Sequence, residues 1–390
     1  MNRVWQVRAL TLDPVLLAAV IGLMVFGIVM VSSASISLAD RETGKPLYFL
    51  ARHLGAVAIG CCAALVIVRI PTEVWFRMNW LLLLGALLLL GAVLTPHLGH
   101  TVNGSARWLH LGPLTFQPSE PARLFLLLYL SGYVVRQHMD LTTTLLGFVK
   151  PMLIIGVACG LLIAEPDYGA AVVLMIVSLG VLFFGGARLR DFTAIAVLAS
   201  CGLTALVFVS PERMERVTAF LDPWGVTNID HGGYQLTQSL IAIGRGDWLG
   251  VGLGGSVQKL FYLPEAHTDF VFAVLSEELG FVGATAVIVL FSLIVYRALS
   301  LGPKAVGCGL PFQGLVSIGL GITLGVHAFI NIGVNIGLLP TKGLTLPLLS
   351  YGRTSMVVTL MSLGLLARIQ HEVKEAVHHQ KIRESGRVKP

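Results

Sequence analysis

Asp269 stands where a polar stretch, Pro264-Glu265-Ala266-His267-Thr268-Asp269, runs into an apolar one, with Glu277 and Glu278 two turns further on. A carboxylate at such a boundary is costly unless it is paired or used, and partial burial makes it a stronger base. A helix cap accounts for one acid, not for His267, Asp269, Glu277 and Glu278 together. A second cluster spans Leu339 to Arg353, where Pro340, Pro347 and Gly343 break any helix and Lys342 and Arg353 supply positive charge near Ser350 and Tyr351. Broken helical structure at membrane depth is tolerated only where it lines a cavity or packs on protein.

Three more groups join these. Asn103, Arg107 and Trp108 precede Gln117-Pro-Ser-Glu120-Pro-Ala-Arg123, in which Glu120 and Arg123 are three apart and share a helix face. They read either as an ion pair beside a capping Ser119 or as the polar wall of an outward cavity. Glu165 and Asp167 lie in a turn between two apolar runs, where they cap the next helix or hold a cation or a sugar hydroxyl. Arg213, Arg216, Arg245 and Lys259 form a loose cationic set, read as solvated charge or as a site for an anion such as a diphosphate. Basic and acidic groups facing one cavity suit a ligand with a diphosphate and hydroxyls on a lipid stem. The residues leave open whether such a lipid is transformed or transported.

These groups must be positioned by membrane-spanning helices. The 390 residues are 55% apolar and 12% charged, against about 25% charged in soluble domains, and the mean hydropathy is +0.81. Apolar runs recur near 15–38, 47–68, 79–95, 119–135, 147–164, 168–187, 192–210, 270–296, 312–338 and 345–367. A span needs roughly 20 apolar residues, so the reading is an all-α polytopic membrane protein of about ten transmembrane helices. Arg3 and Arg8 before the first run resemble a signal peptide, but the run exceeds an h-region, so an uncleaved first helix is expected. With both termini placed inside, sixteen of the 27 Lys and Arg residues fall on the cytoplasmic side, which fixes that orientation. Two sizeable loops then lie outside, 96–118 and about 211–268. The longer is expected to be ordered and partly helical over Tyr234–Ile243, lying on the outer membrane face. Residues 1–370 read as one membrane domain and 371–390 as a basic cytoplasmic tail. Cys61, Cys62, Cys159, Cys201 and Cys308 have no metal-ligand spacing and read as small buried hydrophobes.

The strings FQPSE, GYQLTQSLIA, PEAHTDFVFAV, EELG and GLLPTKGLTLPLLSYG resemble the SEDS family (shape, elongation, division and sporulation), over nearly the whole chain and in the family's order. PEAHTDF and LLPTKGLTLPL are more similar to its cell-division branch than to its elongation branch. The resemblance implies ten helices with a large extracytoplasmic loop. It also implies peptidoglycan glycosyltransfer, with lipid II joined into glycan strands beside a class B penicillin-binding protein and other divisome membrane proteins. No nucleic-acid partner is expected. The family's catalytic carboxylate falls on Asp269, while Arg107, Gln117, Glu120 and Lys342 fall on positions of its central cavity. Arg123 stands where the family commonly has Lys, Ser276 where it has Gly, Ala170 where it has Thr, and Arg353-Thr354 where it has Gly-Ser.

The expected chemistry is inverting transfer from a lipid-diphosphate donor. Asp269 takes the acceptor hydroxyl's proton. Arg107, Gln117, Glu120, Arg123, Glu165, Asp167, Arg213, Arg216, His267, Lys342 and Ser350 are the candidate substrate-binding residues. No cofactor is assigned, and a divalent cation is left open as a further source of positive charge. A lipid II flippase would use the same cavity, and a scaffold that only recruits the penicillin-binding protein leaves carboxylates at membrane depth unexplained.

Overall fold

The apolar runs fold as helices whose ends are set by the residues flanking them. The computed structural model describes residues 13–95, 99–102, 105–111, 114–225 and 233–387. Arg3, Arg8, Asn103, Gly232 and Lys389 lie outside the described residues. Helix α1 covers Pro14–Thr43, capped by the Asp13 carboxylate accepting from Val15 N at 2.9 Å, and stops at Gly44 in the left-handed region. It is followed by α2 (Tyr48–Arg69), a short α3 (Thr72–Arg77) and α4 (Asn79–Val93). Three short antiparallel strands come next, β1 (Gly99–Val102), β2 (Ser105–Leu111) and β3 (Leu114–Phe116), in the order β1-β2-β3. They are the one departure from an all-α chain among the described residues, and they fall in the outer loop expected at 96–118.

Helices α5 (Ser119–Arg136), the short α6 (His138–Thr143), α7 (Leu145–Ala164), α8 (Tyr168–Phe184) and α9 (Leu189–Phe208) then run in sequence. Thr144 and Asp167 cap α7 and α8 through their side chains. The long loop holds α10 (Pro211–Leu221) and α11 (Tyr234–Gly246) and leads into α12 (Val271–Gly307), α13 (Pro311–Asn335) and α14 (Arg353–Arg387). Among the described residues, six helices (α1, α2, α7, α9, α12 and α13) are long and apolar enough to cross a membrane. Adding the shorter apolar α4 and α8 and the more polar α5 and α14 gives ten, one for each run read from the sequence. The fold is that of a polytopic helical membrane protein.

Large apolar side chains such as Leu65, Leu81, Leu88, Val157, Leu198 and Val289 are exposed on the outside of the bundle. A lipid-facing surface has that composition, since lipid tails impose no cost on it. The cysteines only partly follow the sequence reading: Cys159 is buried, but Cys62 and Cys201 are exposed on apolar helices, where a small hydrophobe is equally well solvated by lipid.

Helix α12 is two helices joined at a break. Gly280 has φ 65° and ψ −164°, and a Cβ there would lie 2.4 Å from Gly250 N. The segment 247–252 threads into the gap. Phe281 and Val282 amides donate to the carbonyls of Asp247 and Trp248 (2.8 and 3.2 Å), while Val251 and Gly252 amides donate to those of Glu277 and Glu278 (3.0 and 3.1 Å). Each orphaned end of the broken helix is thus satisfied by loop backbone. Two buried acids hold the same loop. Glu277 accepts from Arg245 (3.0 Å), Ser256 (2.5 Å) and the Val257 amide (3.1 Å); Glu278 accepts from Lys259 (2.8 Å) and Ser33 (2.7 Å).

Candidate functional site

Asp269 closes the turn before α12, and its backbone is held from α13. Its carbonyl accepts from Asn331 Nδ2 at 2.8 Å and Asn335 Nδ2 at 3.1 Å. On the far side lies the non-helical segment between α13 and α14. A Cβ built on Gly343 would stand 3.1 Å from Asp269 Oδ2, so the carboxylate rests against this glycine, beside Lys342. The carboxyl is enclosed by protein yet keeps some accessible surface. Burial, then the neighbouring Glu265, push its pKa up to about 7, against the pull of Arg107.

A cationic wall forms next to it. Arg213, at the start of α10, stacks 3.9 Å over the Tyr168 ring and donates to its hydroxyl, and Lys342 Nζ stands 5.7 Å from the same ring. Burial lowers the Lys342 pKa, and repulsion from Arg216, Arg213 and Arg107 lowers it further, with Asp167 opposing. Three arginines from β2 and α10 therefore surround Lys342 of the 336–352 segment, and Lys342 and Arg213 share the Tyr168 ring at the start of α8. Arg107 donates to the Pro166 carbonyl, and its Nε is buried without a partner.

Beneath Arg107 the two turn acids divide their tasks. Asp167 caps α8 by accepting from Ala170 N (3.3 Å) and accepts also from Ser119 (3.2 Å) and, at 3.5 Å, from Gln117 Nε2. Both oxygens of Glu165 are buried with no hydrogen-bond partner among the described residues. Burial first, then Asp167, raise the Glu165 pKa to about 8, with Arg107 opposing. Glu165 is therefore mostly neutral at pH 7, able to donate as well as accept.

Other residues singled out from the sequence lie elsewhere. Glu120 and Arg123 form a buried 2.5 Å ion pair, and Arg123 also contacts His327. These three line a separate small cavity of about 40 Å³ with Leu324, Pro347 and Thr359, room for about one water. Glu265 acts on both His267 and Asp269, but among the described residues no hydrogen bond joins their side chains. The His267 ring packs against Phe49 (5.0 Å) and Tyr351 (5.5 Å), and its carbonyl accepts from Tyr351 N. The Ser350 hydroxyl accepts from Leu346 N at 2.8 Å and closes the turn there. Arg353 reaches Thr115 of β3, which ties α14 to the outer sheet. Arg245 and Lys259, counted with the cations, are spent on Glu277 and Glu278. Only Arg213 and Arg216 of that set lie near Lys342.

Residues 14–375 match the family of FtsW, RodA and SpoVE, described as cell cycle protein. The chain belongs to this family, the SEDS family. Its relatives include proteins of Halorhodospira halophila and Nitrosococcus halophilus, each 50% identical and named probable peptidoglycan glycosyltransferase FtsW. The matches cover 94% and 93% of this chain and 92% and 93% of the relatives. Among solved structures, the chain is similar to one from a peptidoglycan synthase complex described as coordinating polymerization and crosslinking. The TM-score is 0.76 at 28% identity, over 93% of this chain and 99% of the other. The rod shape determining protein RodA of Thermus thermophilus aligns with a TM-score of 0.68 at 28% identity, over 93% and 98% of the two chains.

In this SEDS chain, sequence reasoning passed over Asn331, Asn335, Tyr168 and His327, because it weighed mainly acids, lysines and arginines. The usable signal was two asparagines four apart in an otherwise apolar helix. Among the described residues no three His, Cys, Asp or Glu side chains gather as metal ligands. A divalent cation such as Mg²⁺ would be held by one or two carboxylates together with substrate phosphates; Asp269 and Asp167 are the carboxylates beside the cationic wall.

Proposed function

We propose that this chain is a peptidoglycan glycosyltransferase that polymerises lipid II into glycan strands in septal wall synthesis. One observation supports it most: a carboxylate of raised pKa, Asp269, rests against Gly343 beside Lys342, with Arg107, Arg213 and Arg216 nearby. A base next to a cationic pocket is what transfer from a lipid-diphosphate donor requires. Asp269 takes the proton of the acceptor hydroxyl as its oxygen attacks the anomeric carbon from the face opposite the diphosphate. The carbon–oxygen bond to the diphosphate breaks, and the departing group carries the electron pair into the cationic wall. Neutral Glu165 offers a donor and an acceptor to a sugar hydroxyl. Gln117, Asp167 and Ser119 brace the pocket, and Glu120 and Arg123 stiffen the bundle behind it. In this reading His267 and Ser350 shape the turns that carry the site and do not contact substrate.

The division reading is favoured over the elongation one because relatives at 44–50% identity are named FtsW, whereas the RodA likeness is at 28%. The partner is a class B penicillin-binding protein within a wider divisome. Both termini are cytoplasmic, the site faces outward at the septum, residues 1–370 form the membrane domain, and 371–390 extend α14 into the cytoplasm. The decisive experiment reconstitutes the purified complex in vesicles and supplies labelled lipid II from the outer side, with the crosslinking activity blocked. Glycan strands are expected. Transbilayer movement of lipid II without strand synthesis would replace this reading with that of a flippase.

A further inference from the structure

Asn331 and Asn335 lie four residues apart on α13 and so share a face. Both are buried, at 2% and 0% exposure. Asn331 Nδ2 donates to the carbonyl of Asp269 (2.8 Å) and to that of Leu344 (2.6 Å). Asn335 Nδ2 donates to the carbonyls of Asp269 (3.1 Å) and Asn331 (2.8 Å), while its Oδ1 accepts from Ala273 N at 3.0 Å. Both targets of Asn331 are carbonyl oxygens, which only the NH2 end of an amide satisfies.

The two segments joined here are far apart in the chain. Asp269 precedes α12, and Leu344 follows α13. Among the described residues no main-chain hydrogen bond links them directly. One amide therefore bridges the carbonyl carrying the carboxylate residue to the carbonyl one residue beyond Gly343. Moving either carbonyl moves the contact between Asp269 Oδ2 and Gly343, because a single residue's covalent frame separates each carbonyl from the contact it controls. Asn335 adds a second grip on Asp269 and, through the Ala273 amide, holds the first turn of α12.

We propose that Asn331 and Asn335 are positioning residues that fix the base Asp269 against Gly343 and thereby set where its carboxylate stands in the site. The inference rests on the reading of Asp269 as the base. The charged groups that act on this carboxyl are Glu265 from its own turn and Arg107 from β2. A change in its seating alters both interactions together and is readable in the pH dependence of the reaction.

The test uses the reconstituted complex with its penicillin-binding partner and lipid II as substrate. Variants are Asn331→Ala, Asn331→Gln and Asp269→Asn, with rates expressed per folded molecule. Asn331→Ala is expected to lower kcat about 10–100-fold, as misplacement of a reacting group does, with KM within about threefold. Its acid limb should move by at least about half a pH unit. Asn331→Gln keeps the amide, so thermal stability should return towards wild type. The extra carbon still misplaces the bridge, so kcat should stay at least about fivefold low with a displaced limb. If Asn331→Ala does not fold, Asn331→Gln decides alone. A Gln variant with wild-type kcat and acid limb, beside an inactive Asp269→Asn, overturns the positioning role and leaves the base intact. An active Asp269→Asn overturns the base reading, and this inference with it.

Discussion

Replacing Asp269 by Asn separates function from stability, because the two should move in opposite directions. The ordinary carboxyl value is 3.8 and the buried one about 7. The folded protein therefore holds this proton up to about pH 7, whereas the unfolded chain releases it above 3.8. The stability this group contributes is fully present below 3.8, is lost as pH rises through about 7, and does not change further above. The full loss is at most about 4 kcal/mol, which we halve for the carboxyl's residual accessibility to about 2 kcal/mol. Asn never ionises and escapes that loss. For a chain of 390 residues the variant should melt about 1–3 °C higher than wild type at pH 8. By pH 5 the advantage should have shrunk by roughly half. Polymerisation should fall at least ~10²-fold at every pH, the lower end for removing a general base. Thermal unfolding in nanodiscs at the two pH values and strand synthesis from lipid II measure the two quantities. A variant that is less stable than wild type at pH 8, or one that still makes strands, refutes the argument.

Gly343→Ala places a methyl 3.1 Å from Asp269 Oδ2, so kcat should drop about 3–30-fold with KM little changed; an unaltered kcat would mean the contact is slack. Glu165→Gln copies the neutral acid and should keep activity within about threefold at pH 7. The wild type should lose rate as pH rises through about 8, where Glu165 ionises, and the Gln variant should lack that limb in a pH–rate profile. Glu277→Ala strips Arg245, Ser256 and the Val257 amide of their acceptor. It should cost about 2 kcal/mol and expose 245–258 to limited proteolysis; an unchanged digestion pattern counts against the clasp. Reporter fusions should read outside at Gly225 and inside at Asp140 and after Gln370, and an inside signal at Gly225 would reverse the orientation.

The spans were legible because lipid demands long apolar segments, and each run read from composition corresponds to one helix. The candidate site was legible at Asp269, Lys342 and the Glu165–Asp167 turn, since charges beside apolar runs are rare enough to notice. The loop's architecture was not. Glu277 and Glu278 read as site acids, yet their partners Arg245, Ser256, Lys259 and Ser33 come from distant segments. Nothing local distinguishes a carboxylate that holds a loop from one that takes a proton. His267 shows the converse: two residues from Asp269 in sequence, its ring packs with Phe49 and Tyr351, residues of α2 and the 336–352 segment that no local pattern places there. The strands at 99–116 carry no long alternating pattern and depend on pairing within a short hairpin.

The threaded break in α12 bears on how the chain is assembled in the cell. Residues 281–307 form the apolar part of α12, and the segment that completes the start of that part, 247–252, belongs to the preceding loop and is synthesised earlier. Without that segment, the amides of Phe281 and Val282 have only the carbonyls of Glu277 and Glu278, four residues back, to pair with, so an unbroken helix is the alternative to the threaded one. Insertion of the spans and threading of the loop are thus separable steps. A chain with every span in place can therefore still hold α12 straight, and the bend at Gly280 marks the chain whose loop has threaded back.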